Sequence, residues 1–288
     1  MEPENRLIKT IDDFSFKEND LKQLNIPDVL YKYREWDNSF HKRVLTDFEV
    51  FYANSLDFED PNDSKNLPRY DLLSKKDKIK FGEHVVKNQN PDYTRQQVRA
   101  EVRKTYQNSP LRNPTTLKEY MRDDLKRWQE RSGILSLTAN PLNKSMWDKY
   151  SANGQGYCVG FNTKKFIDCV RGGGGPVQYV EELPKVWPRP FHDFDQQHIL
   201  RIFFKELKWS FEEEYRLHTF SKDPLSSGDR VKKVHAAAFY EVLLGYNMPS
   251  DKKKELLQSL PMELSSIPVF ETEIQNGEVI KGNKVNPS

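Results

Sequence analysis

Residues 209–220 read WSFEEEYRLHTF, and the three consecutive glutamates in this aromatic, β-branched run are the first candidates for chemistry. Read as a strand, the run alternates with a period of two. Glu212, Glu214, Arg216 and His218 then share one side, and Phe211, Glu213, Tyr215 and Leu217 the other. Two carboxylates and a guanidinium on one side form either a solvated salt-bridge face or an acid pair aimed into a cleft. Glu213, on the far side, reads as structural. Two further polar sets interrupt apolar, strand-like sequence: Tyr31-x-Tyr33-Arg34 and Ser136-Leu137-Thr138. A charge or hydroxyl in such a setting costs free energy unless it is partnered or faces a cleft. Arg34 therefore reads either as half of a cross-strand ion pair or as part of a site.

Several familiar chemistries are set aside by what the chain lacks. RGGGGP at 171–176 has neither the Lys-Ser/Thr of a phosphate-binding loop nor the spaced glycines of a dinucleotide fold, and reads as a flexible connector. No G-x-S-x-G elbow occurs, and His41, His84, His192, His198, His218 and His235 are scattered without metal-binding spacing. Cys158 and Cys169 read as reduced core thiols. No run of about 18 apolar residues is present to span a bilayer, and the N-terminus has no signal-peptide pattern. The expectation is a cytoplasmic protein with no membrane partner.

The elements that must position these residues are legible as a mixed pattern. A composition of 36% hydrophobic and 12% aromatic residues is enough to build a core. Strands are expected at 29–36, within 44–63, and in GILSLTAN, GQGYCVGFN, VQYV, AAFYEVLLGYN and SIPVFETEI. Helices are expected after Ser74, after the Thr94/Gln97 and Thr116/Glu119 capping boxes, in KSMWDKYSA, TKKFIDCV and SDKKKELLQSL, and over 194–208. Residues 61–131 hold 17 Lys/Arg against 10 Asp/Glu in a chain of net charge +2, so a basic helical block is set in an acidic remainder. Within it Arg95, Arg99 and Arg103 recur every four residues and project from one helix face. The organisation expected is a partly ordered segment 1–25, a single α+β domain over 26–275 with a helical insertion at 65–131, and a flexible tail at 276–288.

In chain order, LYKYREW, FEDPND, GILSLT, MWDKYSANGQGYCVGF and WSFEEEYRL resemble a widespread bacterial family catalogued as a domain of unknown function. Its pattern is an L-Y-K-Y-R opening, an Asn-Asp-Pro loop, an S-L-S strand, Met-Trp-x-x-Tyr leading into Gly-x-Cys-x-x-Phe, and a closing W-x-x-E-x-E-Y-R. The likeness covers roughly residues 29–245; Glu59 stands where the family has Asn, and Thr138 where it has a second serine. The order Arg, Ser-x-Thr, Glu-x-Glu is also similar to the Arg/Ser-x-Ser/Glu-x-Glu scheme of ADP-ribosyltransferases. This second resemblance implies an α+β fold with a mixed or antiparallel sheet core, NAD as substrate, and transfer of ADP-ribose to a nucleic-acid or protein acceptor. A bacterial toxin or phage-defence effector, with an antitoxin or another defence-system partner, would fit it. Arg34 with Tyr33 would hold phosphate or ribose, and Ser136 or Thr138 would position the nicotinamide ribose. Trp147 or Tyr150 would stack on the departing ring. Glu214 would bind ribose hydroxyls and stabilise positive charge, while Glu212 would orient or deprotonate the acceptor. Strand residues i and i+2, about 7 Å apart, can divide such roles.

Two rivals come from other classes. One is a non-catalytic nucleic-acid-binding or protein-interaction module that uses Arg95, Arg99 and Arg103. The other is a Mg²⁺-dependent nuclease built on Asp60, Asp63, Glu212 and Glu214, since hard carboxylates suit that ion. The three readings separate on geometry: the transferase needs Arg34, Ser136 and Glu214 around one pocket.

Overall fold

A computed structural model describes residues 26–285. They form two compact units: a helical unit of Ser55–Arg131 with Val180–Glu206, and a sheet unit of 26–54, Ser132–Tyr179 and 207–285. In chain order the elements begin with β1 (Val29–Arg34), α1 (Ser39–Thr46), β2 (Glu49–Phe51), α2 (Lys75–Gln89), α3 (Arg95–Thr105) and α4 (Pro114–Arg131). Then come β3 (Ser132–Thr138), α5 (Lys144–Tyr150), β4 (Tyr157–Asn162), α6 (Thr163–Val170), β5 (Gly173–Pro176), β6 (Gln178–Val180), α7 (Phe194–Ile202) and β7 (Phe204–Glu206). The last are β8 (Glu214–Phe220), α8 (Ser227–Arg230), β9 (Val231–Lys233), β10 (Phe239–Leu244), α9 (Ser250–Ser259), β11 (Val269–Gln275) and β12 (Glu278–Val285).

The sheet unit is built on a mixed eight-stranded sheet in the order β12-β11-β10-β4-β1-β3-β8-β5. Neighbours run antiparallel except β10 and β11, which are parallel. Alternation along each strand divides the apolar residues between two faces. Leu30, Leu135, Leu137, Tyr157, Val159, Phe161, Val242 and Leu244 face the main core, where α1 adds Val44 and Leu45, α6 adds Phe166, and α9 adds Leu256. Tyr31, Tyr33, Cys158 and Leu243 face the other side, covered by Met146 and Trp147 of α5. Short polar caps start the helices that cover these faces: the side chain of Asn38 accepts from two N–H groups of α1, and those of Asn143 and Asn162 each accept from one, in α5 and α6.

In the helical unit α2 and α3 meet through Val86, Val98 and Val102. Leu117 and Met121 of α4 pack against Tyr70, Leu73 and Leu111. The expected Ser74 cap and Thr94/Gln97 capping box are both formed. The Thr116/Glu119 box is not: α4 already starts at Pro114, the side chain of Asn113 accepts from the Thr115 N–H, and the Thr116 hydroxyl donates to backbone carbonyls.

Other expectations are corrected by packing. The 44–63 strand is preceded by α1 and shrinks to three residues of β2. The 194–208 helix stops at Ile202; Phe204 is then buried with Val186 and Leu200 on extended backbone, and Leu207 is exposed. The glycine run is not a loose connector, because Gly173–Pro176 is the edge strand β5 paired with β8. The expected tail from 276 is strand β12 up to Val285, reached through Asn276 and Gly277, both at positive φ. Segment 1–25 and residues 286–288 lie outside the described residues.

Candidate functional site

The glutamate run is not one strand. Leu207–Glu212 is a 3₁₀ turn and Glu213 sits at φ 44°, so the two-residue period begins only at Glu214. Glu213 accepts from the Asn140 side-chain amide at 2.9 Å on the surface. From Glu214 onward the alternation is as expected. The register Thr138↔Glu214 and Ser136↔Arg216 brings an acid, a guanidinium and two hydroxyls to one sheet face. Tyr31 joins them opposite Thr138. Glu212 comes by another route: the Tyr150 hydroxyl of α5 donates to its Oε1 at 2.5 Å.

The cluster holds an ion pair within β8. Arg216 grips the Glu214 carboxylate through Nε at 2.7 Å and Nη2 at 2.9 Å, and both side chains are buried. Such a fork is among the stronger hydrogen-bonded arrangements, and the low-dielectric setting makes each half dependent on the other. The Glu214 N–H donates to the Tyr179 hydroxyl at 2.9 Å, and burial, reinforced by the nearby carboxylates, pushes the Tyr179 phenol far up, so it stays neutral. The two-residue period had put Arg216 on the side of Glu214 without giving it a role in the site; Tyr179 was not among the residues the sequence nominated, and nothing local marked it.

Two of the nominated ligand-holding residues are core instead. Trp147 is 0% exposed, donates its indole N–H to the Pro141 carbonyl at 2.9 Å, and meets Tyr33 edge-on at 5.1 Å. Tyr33 is buried and donates to the Asn140 carbonyl at 2.8 Å, with burial pushing its phenol far up. Neither ring has a free face for a departing nicotinamide. Thr138 is buried too and accepts from the Asn140 N–H at 3.1 Å, which fixes the turn after β3. Ser136 and Tyr150 keep partial exposure.

Arg34 does not join them. Tyr31 shares a side with Thr138, and Arg34, three residues on, shares a side with its partner Tyr157 in the main core. An odd separation along a strand reverses the face, so Arg34 lies on the opposite side of the sheet from Glu214. The expected common pocket of Arg34, Ser136 and Glu214 is thereby overturned.

In the helical unit Arg95, Arg99 and Arg103 are all exposed, with Arg99 Nε 3.5 Å from Glu83. Sequence reasoning missed a second basic feature there. A groove of about 610 Å³ is lined by Lys65, Arg69, Lys118, Arg122 and Lys185, with Asp71 as its one acid. Leu117 and Met121 of α4 contribute apolar lining, as do Leu67 and Leu183. Arg69 pairs with Asp71 at 2.7 Å and Lys65 donates to the Phe58 carbonyl, while Lys118, Arg122 and Lys185 are exposed. The groove joins segments more than a hundred residues apart in sequence, which no local pattern could bring together.

Asp63 pairs with Lys205 at 3.3 Å. Asp60 and Asp63 belong to the helical unit, and Glu212 and Glu214 to the sheet unit. Among the described residues no group of three or more His, Cys, Asp or Glu side chains is arranged to hold a metal ion, and no helix is long and apolar enough to cross a membrane. Comparison with protein-family models, curated proteins and solved structures finds no match.

Proposed function

We propose that the helical unit binds single-stranded nucleic acid along its basic groove. The carrying observation is the charge of that groove: five cations face it against one carboxylate, and that carboxylate is already paired with Arg69. Lys118, Arg122 and Lys185 supply mobile charges that follow a phosphate backbone. The apolar floor offers surface to unstacked bases, which a duplex keeps inside its stack. Exposed Arg95, Arg99 and Arg103 on α3 enlarge the positive field that draws a polyanion in.

Fluorescence anisotropy with a labelled single-stranded oligonucleotide tests this. If about four phosphates are neutralised, log K falls with log salt at a slope near −3. Lys118→Glu with Arg122→Glu lowers affinity at least tenfold without loss of helical signal, both residues being exposed. Binding that ignores salt, or is unchanged in the double variant, overturns the reading.

A second reading, NAD cleavage with transfer of ADP-ribose, is favoured by one observation: Ser136, Thr138 and Glu214 share a face. In it Arg216 stands beside the acid where Arg34 was expected, and Glu212 is held by Tyr150. Incubation with labelled NAD and candidate acceptors decides it. Label transfer by the wild type and not by a folded Glu214→Gln variant supports it; an inert wild type ends it.

A further inference from the structure

The main-core face of β1 carries charge that no neighbouring carboxylate among the described residues pairs with. Lys32 and Arg34 stand two apart on one strand and project to the same side, and His41 of α1 feels both cations. Among the described residues neither Lys32 nor Arg34 has a carboxylate within 4.0 Å. Arg34 Nε is buried without an acceptor. The more distant charges are weak counterweights: Glu35 acts on Arg34, and Glu214, already held by Arg216, acts on Lys32.

The backbone explains why these cations stay reachable. β3 pairs with β1 only at Tyr31↔Thr138, and its next bridge on that edge is Ala53↔Ile134. Between the two, the ladder is open at Ser136, and the Lys32 ammonium donates to that carbonyl. Lys32, Arg34 and His41 are crowded by protein yet each keeps partial solvent access. His41 Nδ1 accepts from the Glu35 N–H at 3.3 Å, which leaves Nε2 as the donor on the neutral ring.

We propose that Lys32, Arg34 and His41 form a site for a phosphoryl dianion, supplied by free phosphate or by the phosphate of a mononucleotide. Lys32 contributes a point charge, Arg34 a planar fork with an unused donor, and His41 an Nε2–H. Two formal charges match a dianion, whereas a monoanion such as acetate leaves one cation uncompensated. Burial, with Arg34 second, pushes the Lys32 ammonium well down, and burial with both cations pushes the His41 imidazole down to about 4. A bound dianion reverses these effects, so binding is accompanied by proton uptake. The site lies in the sheet unit, on the face opposite Glu214, and rests on neither reading above.

Isothermal titration calorimetry on the full chain at low salt and neutral pH tests it, with inorganic phosphate, AMP and acetate as probes. The expected result is saturable one-to-one binding of phosphate, much weaker binding of acetate, and heats that differ between buffers of different ionisation enthalpy. AMP binding more tightly than phosphate identifies a nucleotide as the source, and equal binding identifies the free ion; either supports the site. Arg34→Gln is expected to weaken phosphate binding at least tenfold. Unliganded, the variant melts no lower than wild type, because an unpaired guanidinium has been removed, but phosphate no longer raises its Tm. His41→Gln gives a smaller loss and abolishes the buffer-dependent heat if His41 takes up the proton. No saturable phosphate binding by wild type, or binding unchanged in Arg34→Gln, overturns the proposal.

Discussion

Glu214 and Arg216 illustrate how a single side chain's role depends on its neighbour. A buried carboxylate held by two charge-assisted bonds depends on the guanidinium that makes them, so truncating either partner strips both bonds from a buried charge. Glu214→Gln and Arg216→Met are each expected to destabilise the fold by about 3–5 kcal/mol. The double variant should lose well under the sum, since it removes both charges together. Urea unfolding of the four proteins measures this coupling; strict additivity would mean that the pair is not a unit. At this scale the sequence was a partial guide. The order of motifs grouped Glu214 with Ser136 and Thr138 by resemblance alone, and the β3–β8 register puts the three on one face. Arg34 was misplaced because the parity linking β1 to β3 depends on where two distant strands cross, and Trp147 because a packed indole and a ligand-stacking one have the same spacing in sequence.

Elements were legible where their signals are local. The Thr94/Gln97 capping box marks α3 in the sequence, and its side chain–backbone bonds are formed as that pattern requires. The β11–β12 hairpin carried a signal of the same kind, since Asn276-Gly277 supplies two adjacent positive-φ residues, as two-residue hairpins require. The polar composition of the segment obscured it. β5 was illegible for another reason. Glycine has no strand preference, and Gly174 belongs there only because β8 comes close: a Cβ would lie 2.3 Å from Leu217 Cδ2 and 2.7 Å from the Arg216 carbonyl oxygen. Gly174→Ala must therefore displace an edge strand from its backbone partner. A destabilisation of about 2 kcal/mol or more is expected, at the upper end of ordinary overpacking, with faster amide exchange at Leu217 and neighbouring β8 residues. A neutral Gly174→Ala with unchanged exchange would show that β5 does not pair closely.

Across the whole molecule, the sequence disclosed an uneven charge distribution but not the partition into units. The basic stretch 61–131 is joined in the helical unit by 180–206 through long-range contacts such as Arg69 N–H to the Val186 carbonyl at 2.7 Å. One property is shared by both units. His41 and His218 in the sheet unit, and His84 and His192 in the helical unit, are all held below the ordinary imidazole value, burial being the leading cause in each. In the unfolded chain these rings bind protons as pH falls through about 6.5, while the folded rings resist until lower pH, about 4 for His41. Between those limits the unfolded state holds more protons, so unfolding free energy rises with pH and is lost on acidification. Asp71 and Asp148, held low by hydrogen bonds from Arg69 and Lys144, add loss of the same sign at still lower pH. The urea midpoint is therefore expected to drop steadily from pH 7 to pH 4.5. In phosphate the drop is shallower than in a non-coordinating buffer, because an anion beside His41 makes its protonated form welcome in the folded state. A midpoint that holds constant or rises over that interval would mean that the imidazoles titrate as freely folded as unfolded.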